Sequence, residues 1–125
     1  MNIDHIIMKV NDLDASVDFY TNIMGFTNDG TQGPFTVIQV SSDFQIQLAP
    51  WGTEGYEHYA FSMSPEEFDE IFRRIKESNI DYGPDFHSVG NNTGPGREAG
   101  AKGEAPTIYF LDPSKHLIEI LSYEK

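Results

Sequence analysis

The chain has 125 residues, the size of one ordinary domain, with 38% hydrophobic and 13% aromatic residues, enough to bury a core without crosslinks. It has no cysteine, which excludes disulfides, thiolate metal sites and a cysteine nucleophile, and no apolar run long enough to span a membrane. Twenty Asp and Glu against 8 Lys and Arg give a formal net charge of −12, which argues against phosphate-neutralising contact with nucleic acid and fits either plain solubility or attraction of a cationic ligand.

The N-terminal MNIDHIIMKV has no basic stretch leading into a long apolar one, so no secretory signal is expected and the expected location is cytoplasmic. Residues 3–10 read as a strand. NDLDASVDFYTNIMGF then reads as a helix: Asp12 is its N-cap, Val17, Tyr20, Ile23 and Met24 make an apolar face, and Gly25 suits the C′ position. PFTVIQV and FQIQLAP read as strands joined by the tight turn Ser41–Ser42–Asp43.

The same order then begins again. EHYAFSM reads as a strand with Tyr59, Phe61 and Met63 on a core face and His58, Ala60 and Ser62 on the other. The helix that follows starts at Ser64, with Pro65 at N1 and Glu67 at N3, and buries Phe68, Ile71, Phe72 and Ile75. TIYFL and HLIEILSY close the chain as a hairpin across DPSK, where Asp112 and His116 read as turn residues. Residues 86–106 between helix and hairpin are rich in Gly, Asn and Pro, without periodicity, and read as a mobile loop over a site. Arg97 and Lys102 in it are candidates for holding an anionic substrate group. The class is therefore α+β, one domain over 1–125, with module one about 1–52 and module two about 53–125.

Three strands each carry a residue that is costly to bury: His5, His58 and Glu119. Glu119 lies between Leu117 and Leu121 on its face, with no Lys or Arg beside it, and an isolated buried carboxylate is very unfavourable. A metal shared with the two histidines would satisfy it. Two imidazoles and a carboxylate suit one divalent ion (Mn, Fe, Zn, Ni or Co) and leave positions open for water or substrate.

DHIIMKVNDLDASVDFYTNIMGF, HYAFSM and IYFLDPSKHLIEI together resemble the vicinal oxygen chelate superfamily: glyoxalase I, extradiol dioxygenases, fosfomycin-resistance enzymes and bleomycin-resistance proteins. The resemblance covers nearly the whole chain. It implies two βαβββ modules curved into a cup around a metal, with His5, His58 and Glu119 at the ligand positions. Ala60 and Ser62 would then leave room for substrate. Tyr109 falls where a substrate-contacting tyrosine stands in fosfomycin-resistance enzymes and dioxygenases. Gln47 stands where bacterial glyoxalase I has a ligating, proton-transferring glutamate. A glutamine accepts no proton usefully near neutral pH, which sets a glyoxalase I-like lyase reaction third.

The resemblance ranks thiol or water addition to an electrophile such as an epoxide first, although Ile7 stands where thiol-transferring members carry a hydroxyl. Dioxygen-dependent ring cleavage comes second, with His87 as the candidate extra histidine. The alternative from another class is a metal-free protein that sequesters a cationic antibiotic, like bleomycin-resistance proteins. The expected partners are a small-molecule substrate and a second copy of the chain in a homodimer, with no nucleic acid and no membrane.

Overall fold

A computed structural model describes residues 1–124. The protein is α+β, with two mixed, open sheets and few helices, and it divides into two compact units, Met1–Gly55 and Tyr56–Lys125. No helix among the described residues is long and apolar enough to cross a membrane.

Unit one runs β1 (His5–Lys9), α1 (Leu13–Asp18), a π-type turn (Phe19–Ile23), β2 (Thr27–Gln32), β3 (Phe35–Ser41) and β4 (Phe44–Ala49). This is the expected βαβββ order. Its sheet is ordered β1-β4-β3-β2, with β1 parallel to β4 and the other pairs antiparallel. Asp12 caps α1 by accepting from the Ala15 backbone N–H at 3.0 Å. Period-two alternation divides the sheet. Met8, Ile38, Ile46 and Leu48 are fully buried on one face, with Tyr20. His5 and Ile7 lie on the other, which is open.

The helix that the sequence suggests over 11–26 is shorter as an α-helix, because widening at Phe19–Ile23 continues it as one π-type turn. The strand β2 is an element that the sequence does not announce. Every residue of TNDGTQ is exposed, so it has no alternation of apolar and polar residues to read.

Unit two runs β5 (His58–Ser62), α2 (Pro65–Glu77), β6 (Tyr82–Gly83), β7 (Gly96–Gly100), β8 (Gly103–Leu111) and β9 (Leu117–Leu121). The path β5-β9-β8-β6 repeats the order of unit one, with β5 parallel to β9. Ser64 caps α2, its hydroxyl accepting from the Glu67 backbone N–H at 3.2 Å. Phe68, Ile71 and Ile75 are buried, as are Ile108, Phe110, Ile118 and Ile120 on one face of the sheet, but Phe72, expected with them, is only half-buried, its ring facing the Lys76 ammonium at 4.2 Å. Each such side chain contributes roughly 1.5–3 kcal/mol by leaving water.

The expected loop over 86–106 is corrected by the structure. Its second half is strand β7, paired with β8 from Gly96 opposite Thr107 to Gly100 opposite Gly103. Strand β6 pairs further along the same edge of β8, with Tyr82 opposite Phe110 and Gly83 opposite Tyr109. The chain thus leaves that edge after Gly83 and returns to it at Gly96, and only 84–95 form an excursion. Two of the glycines serve close approach rather than mobility. A Cβ on Gly96 would collide with the Pro84 carbonyl oxygen, and one on Gly83 with that of Ser88.

Candidate functional site

The open face of the unit-two sheet is built from alternate residues of three strands. In register, Ala60 on β5 faces Glu119 on β9, and Glu119 faces Tyr109 on β8. Glu119 is 5% exposed. His58 Nε2 lies 2.9 Å from its Oε1, and the Tyr109 hydroxyl donates to the same carboxylate. The His58 and Tyr109 rings are 5.9 Å apart, so the three side chains form one cluster. Burial, followed by the hydrogen bond and the charge of Glu119, pushes the Tyr109 phenol above its ordinary range. Tyr109 is therefore a neutral donor at physiological pH, not a base.

The chemistry of this cluster fits a divalent cation. No Lys or Arg forms an ion pair with Glu119 among the described residues; its partners are an imidazole and a phenol. The proton between His58 Nε2 and Glu119 Oε1 occupies the nitrogen and the oxygen that a cation would take. Glu119 and His58 are the residues of this unit that would hold it.

His5 belongs to unit one and is exposed at the start of β1. Its Nδ1 lies 2.8 Å from Asp4 Oδ2, which holds the ring proton at Nδ1 and makes Nε2 the accepting nitrogen. The register of β1 and β4 matches that of β5 and β9: Ile7 faces Gln47 as Ala60 faces Glu119. Gln47 is thus the unit-one counterpart of Glu119. It is 8% exposed, and its amide contacts Gln45 at 3.4 Å. Among the described residues no three His, Asp or Glu side chains gather in metal-holding geometry. The neighbours of His5 on that face are open as well, with Ile3 70% and Ile7 46% exposed.

A cleft of about 1070 Å³ opens beside His58, Tyr109 and Glu119, wholly within unit two. Ala60 and Ser62 share the face of His58 and are exposed, but they do not line this cleft. Arg97 and Lys102 do not line it either. Arg97 is exposed on β7, and the Lys102 ammonium in the β7–β8 turn lies 5.9 Å from the Tyr123 ring. The cation that does line the cleft is Lys115. It stands in the turn where Asp112 accepts from the Ser114 and His116 backbone N–H groups at 2.9 and 2.8 Å, as expected of a turn aspartate.

His87 lines the cleft with its neighbour Phe86, and Tyr56 and Leu111 lie on its walls. Sequence reasoning singled out His87 and passed over the others. Phe86 and Tyr56 sit in segments with no periodicity, and an aromatic residue in a turn-rich stretch is the one signal that could have found them.

The family model described as Glyoxalase/Bleomycin resistance protein/Dioxygenase superfamily matches residues 2–120. Among curated proteins, the glutathione transferase FosA of Serratia marcescens is 28% identical, over 95% of this chain and 79% of that protein. The glyoxalase domain-containing protein RDO1 of Mycosarcoma maydis is 30% identical, over 98% of this chain and 69% of that one. Among solved structures, Oxidase ChaP-H1 superposes with a TM-score of 0.80 at 32% identity, covering 98% of this chain and 95% of its own. A Glu-to-Gln mutant of the fosfomycin resistance protein FosX of Listeria monocytogenes, in complex with Mn(II) and 1S,2S-dihydroxypropylphosphonic acid, superposes with a TM-score of 0.69 at 25% identity, covering 96% of this chain and 88% of its own.

Proposed function

The chain belongs to the glyoxalase, bleomycin-resistance protein and dioxygenase superfamily, and from that premise we propose that it is a divalent-metal-dependent enzyme adding a thiol or water to an electrophilic, oxygen-rich small molecule. One observation carries this reading: a carboxylate 5% exposed, held by a histidine nitrogen at 2.9 Å and a tyrosine hydroxyl, at the wall of a large cleft. His58 and Glu119 would hold the metal, and the ligand set expected from the sequence has His5 as its third member. When bound, the metal supplies Lewis acidity for vicinal substrate oxygens.

The chain's own groups do the rest. With Glu119 engaged, the Tyr109 hydroxyl is released to donate to a substrate oxygen that gains negative charge. The buried core face under β8 and β9 holds Tyr109 and Glu119 in place, so little reorganisation accompanies reaction.

The test is titration of metal-free protein with Mn(II), Fe(II), Zn(II), Ni(II) and Co(II). One ion per chain is expected, read as the stoichiometry of the calorimetric titration. Binding no tighter than millimolar overturns the enzyme reading and leaves a metal-free binding protein.

A second reading, oxidation of the substrate with dioxygen, is favoured by His87 in the cleft and by the likeness to Oxidase ChaP-H1. Oxygen uptake by Fe(II)-loaded protein separates it from addition chemistry.

A further inference from the structure

Away from His58 and Glu119 the cleft carries apolar and aromatic groups among its charged ones, and the reading of a metal enzyme does not require them. Phe86 is 57% exposed and Tyr56 81% exposed, yet both line the cleft with Leu111 and Leu117. The Phe86 and His87 rings lie 3.9 Å apart, tilted by 35°, so each partly covers the other and the pair forms one aromatic block. Large aromatic groups left open to water inside a concave site mark a surface that a ligand covers.

The rim is also held against its backbone preference. Tyr56 has φ +74° and Lys115 has φ +67°, left-handed conformations that side chains other than glycine rarely adopt. The Tyr56 N–H donates to the Lys115 carbonyl at 3.1 Å, and the Leu117 N–H donates to the Glu57 carbonyl at 2.8 Å. Strained residues tied to each other at a cleft rim are preorganised.

Charge bears on the ligand as well. The lining holds the carboxylates Asp85, Glu98 and Glu119 against one ammonium, Lys115. A divalent cation at Glu119 brings that sum to neutrality and leaves no surplus positive charge for a dianionic phosphonate.

We infer that Tyr56, Phe86 and His87 form a specificity wall for a planar aromatic substrate of two or more fused rings, carrying at most one negative charge beyond its chelating oxygens. The inference rests on the metal-centre reading only for where those oxygens bind; the wall belongs to the cleft itself.

The probes are naphthalene-2,3-diol, catechol and methylphosphonate, titrated into Mn(II)-loaded protein. The naphthalenediol should bind about tenfold tighter than catechol, the scale of one more ring leaving water. Methylphosphonate should bind more weakly than both. Phe86→Ala should weaken the naphthalenediol about threefold to tenfold, the scale of a lost aromatic pair, with less effect on catechol and none on Mn(II) affinity. Phe86 is exposed, so this variant should fold. Equal affinity for one ring and two, preference for methylphosphonate, or indifference to Phe86→Ala overturns the inference.

Binding of 2-naphthol, which cannot chelate, to metal-free protein separates the two failures. A Phe86-dependent affinity there upholds the wall even where no metal binds. Absence of that affinity, beside normal Mn(II) binding, sinks the wall and leaves the metal centre standing.

Discussion

Glu119 is the residue on which the site depends, and replacing it isolates its charge. Glu119→Gln keeps size and hydrogen bonding and removes the anion. We expect a loss of divalent-ion affinity of at least about a hundredfold, the upper range for disturbing even an outer partner of a ligand. Calorimetry with Mn(II) checks this. His58→Ala should abolish metal binding too, and it should also destabilise the protein by about 1–3 kcal/mol by taking a hydrogen bond from a buried carboxylate. Circular dichroism beside metal titration separates lost ligation from lost fold. Arg97→Ala should leave ligand affinity within about 0.5 kcal/mol, since its side chain is exposed outside the cleft. Away from the His58, Tyr109 and Glu119 cluster, burial and then the charges of Glu57 and Asp112 push the Tyr59 phenol up. A folded pKa above the unfolded one gives stability that is full below the unfolded value of about 10 and lost as pH rises through the folded value. Tyr59→Phe should flatten that alkaline loss, read by urea unfolding at several pH values.

At the scale of elements, α2 is the helix whose start the residues specify most fully. Ser64→Ala removes the bond to the Glu67 N–H and should cost about 1 kcal/mol, measured by chemical denaturation. The excursion 84–95 poses the opposite case. Its ends are pinned to one edge of β8 by β6 and β7, and glycine at 96 lets the two backbones meet. Gly96→Ala should lower stability, because a backbone carbonyl cannot yield as a side-chain tip can. It should also weaken the naphthalenediol while sparing Mn(II), because the excursion that carries Phe86 would shift and His58 and Glu119 would not. The glycines read as a mobile stretch in sequence because composition alone does not separate freedom from tight contact.

For the whole molecule, the proposals to test are His5 as a ligand and a homodimer as the assembly. A homodimer is the assembly proposed here, and mixing two defective variants tests it. Chains carrying His5→Ala combined with chains carrying His58→Ala should regain metal sites if His5 crosses between copies. They should regain none if each chain uses its own. Metal content of the mixed protein, after unfolding and refolding together, is the readout, with sedimentation reporting the oligomer.

Much of this was legible in the sequence. The alternation of strands such as TIYFL and LIEIL, the cap at Ser64 and the repeat of strand, helix and strands all follow from local periodicity and turn chemistry. Glu119 stood out because a carboxylate between leucines needs a partner wherever the strand lies. The register that brings His58 to that carboxylate at 2.9 Å could be stated only once β5 and β9 were paired. Neither β2 nor β7 was legible, since strands made of polar residues and glycine have no apolar rhythm and are made strands by the neighbour whose edge they complete. The aromatic wall was beyond the sequence for the same reason: Tyr56, Phe86 and Leu111 lie far apart along the chain, and tertiary structure alone decides that they face one cleft.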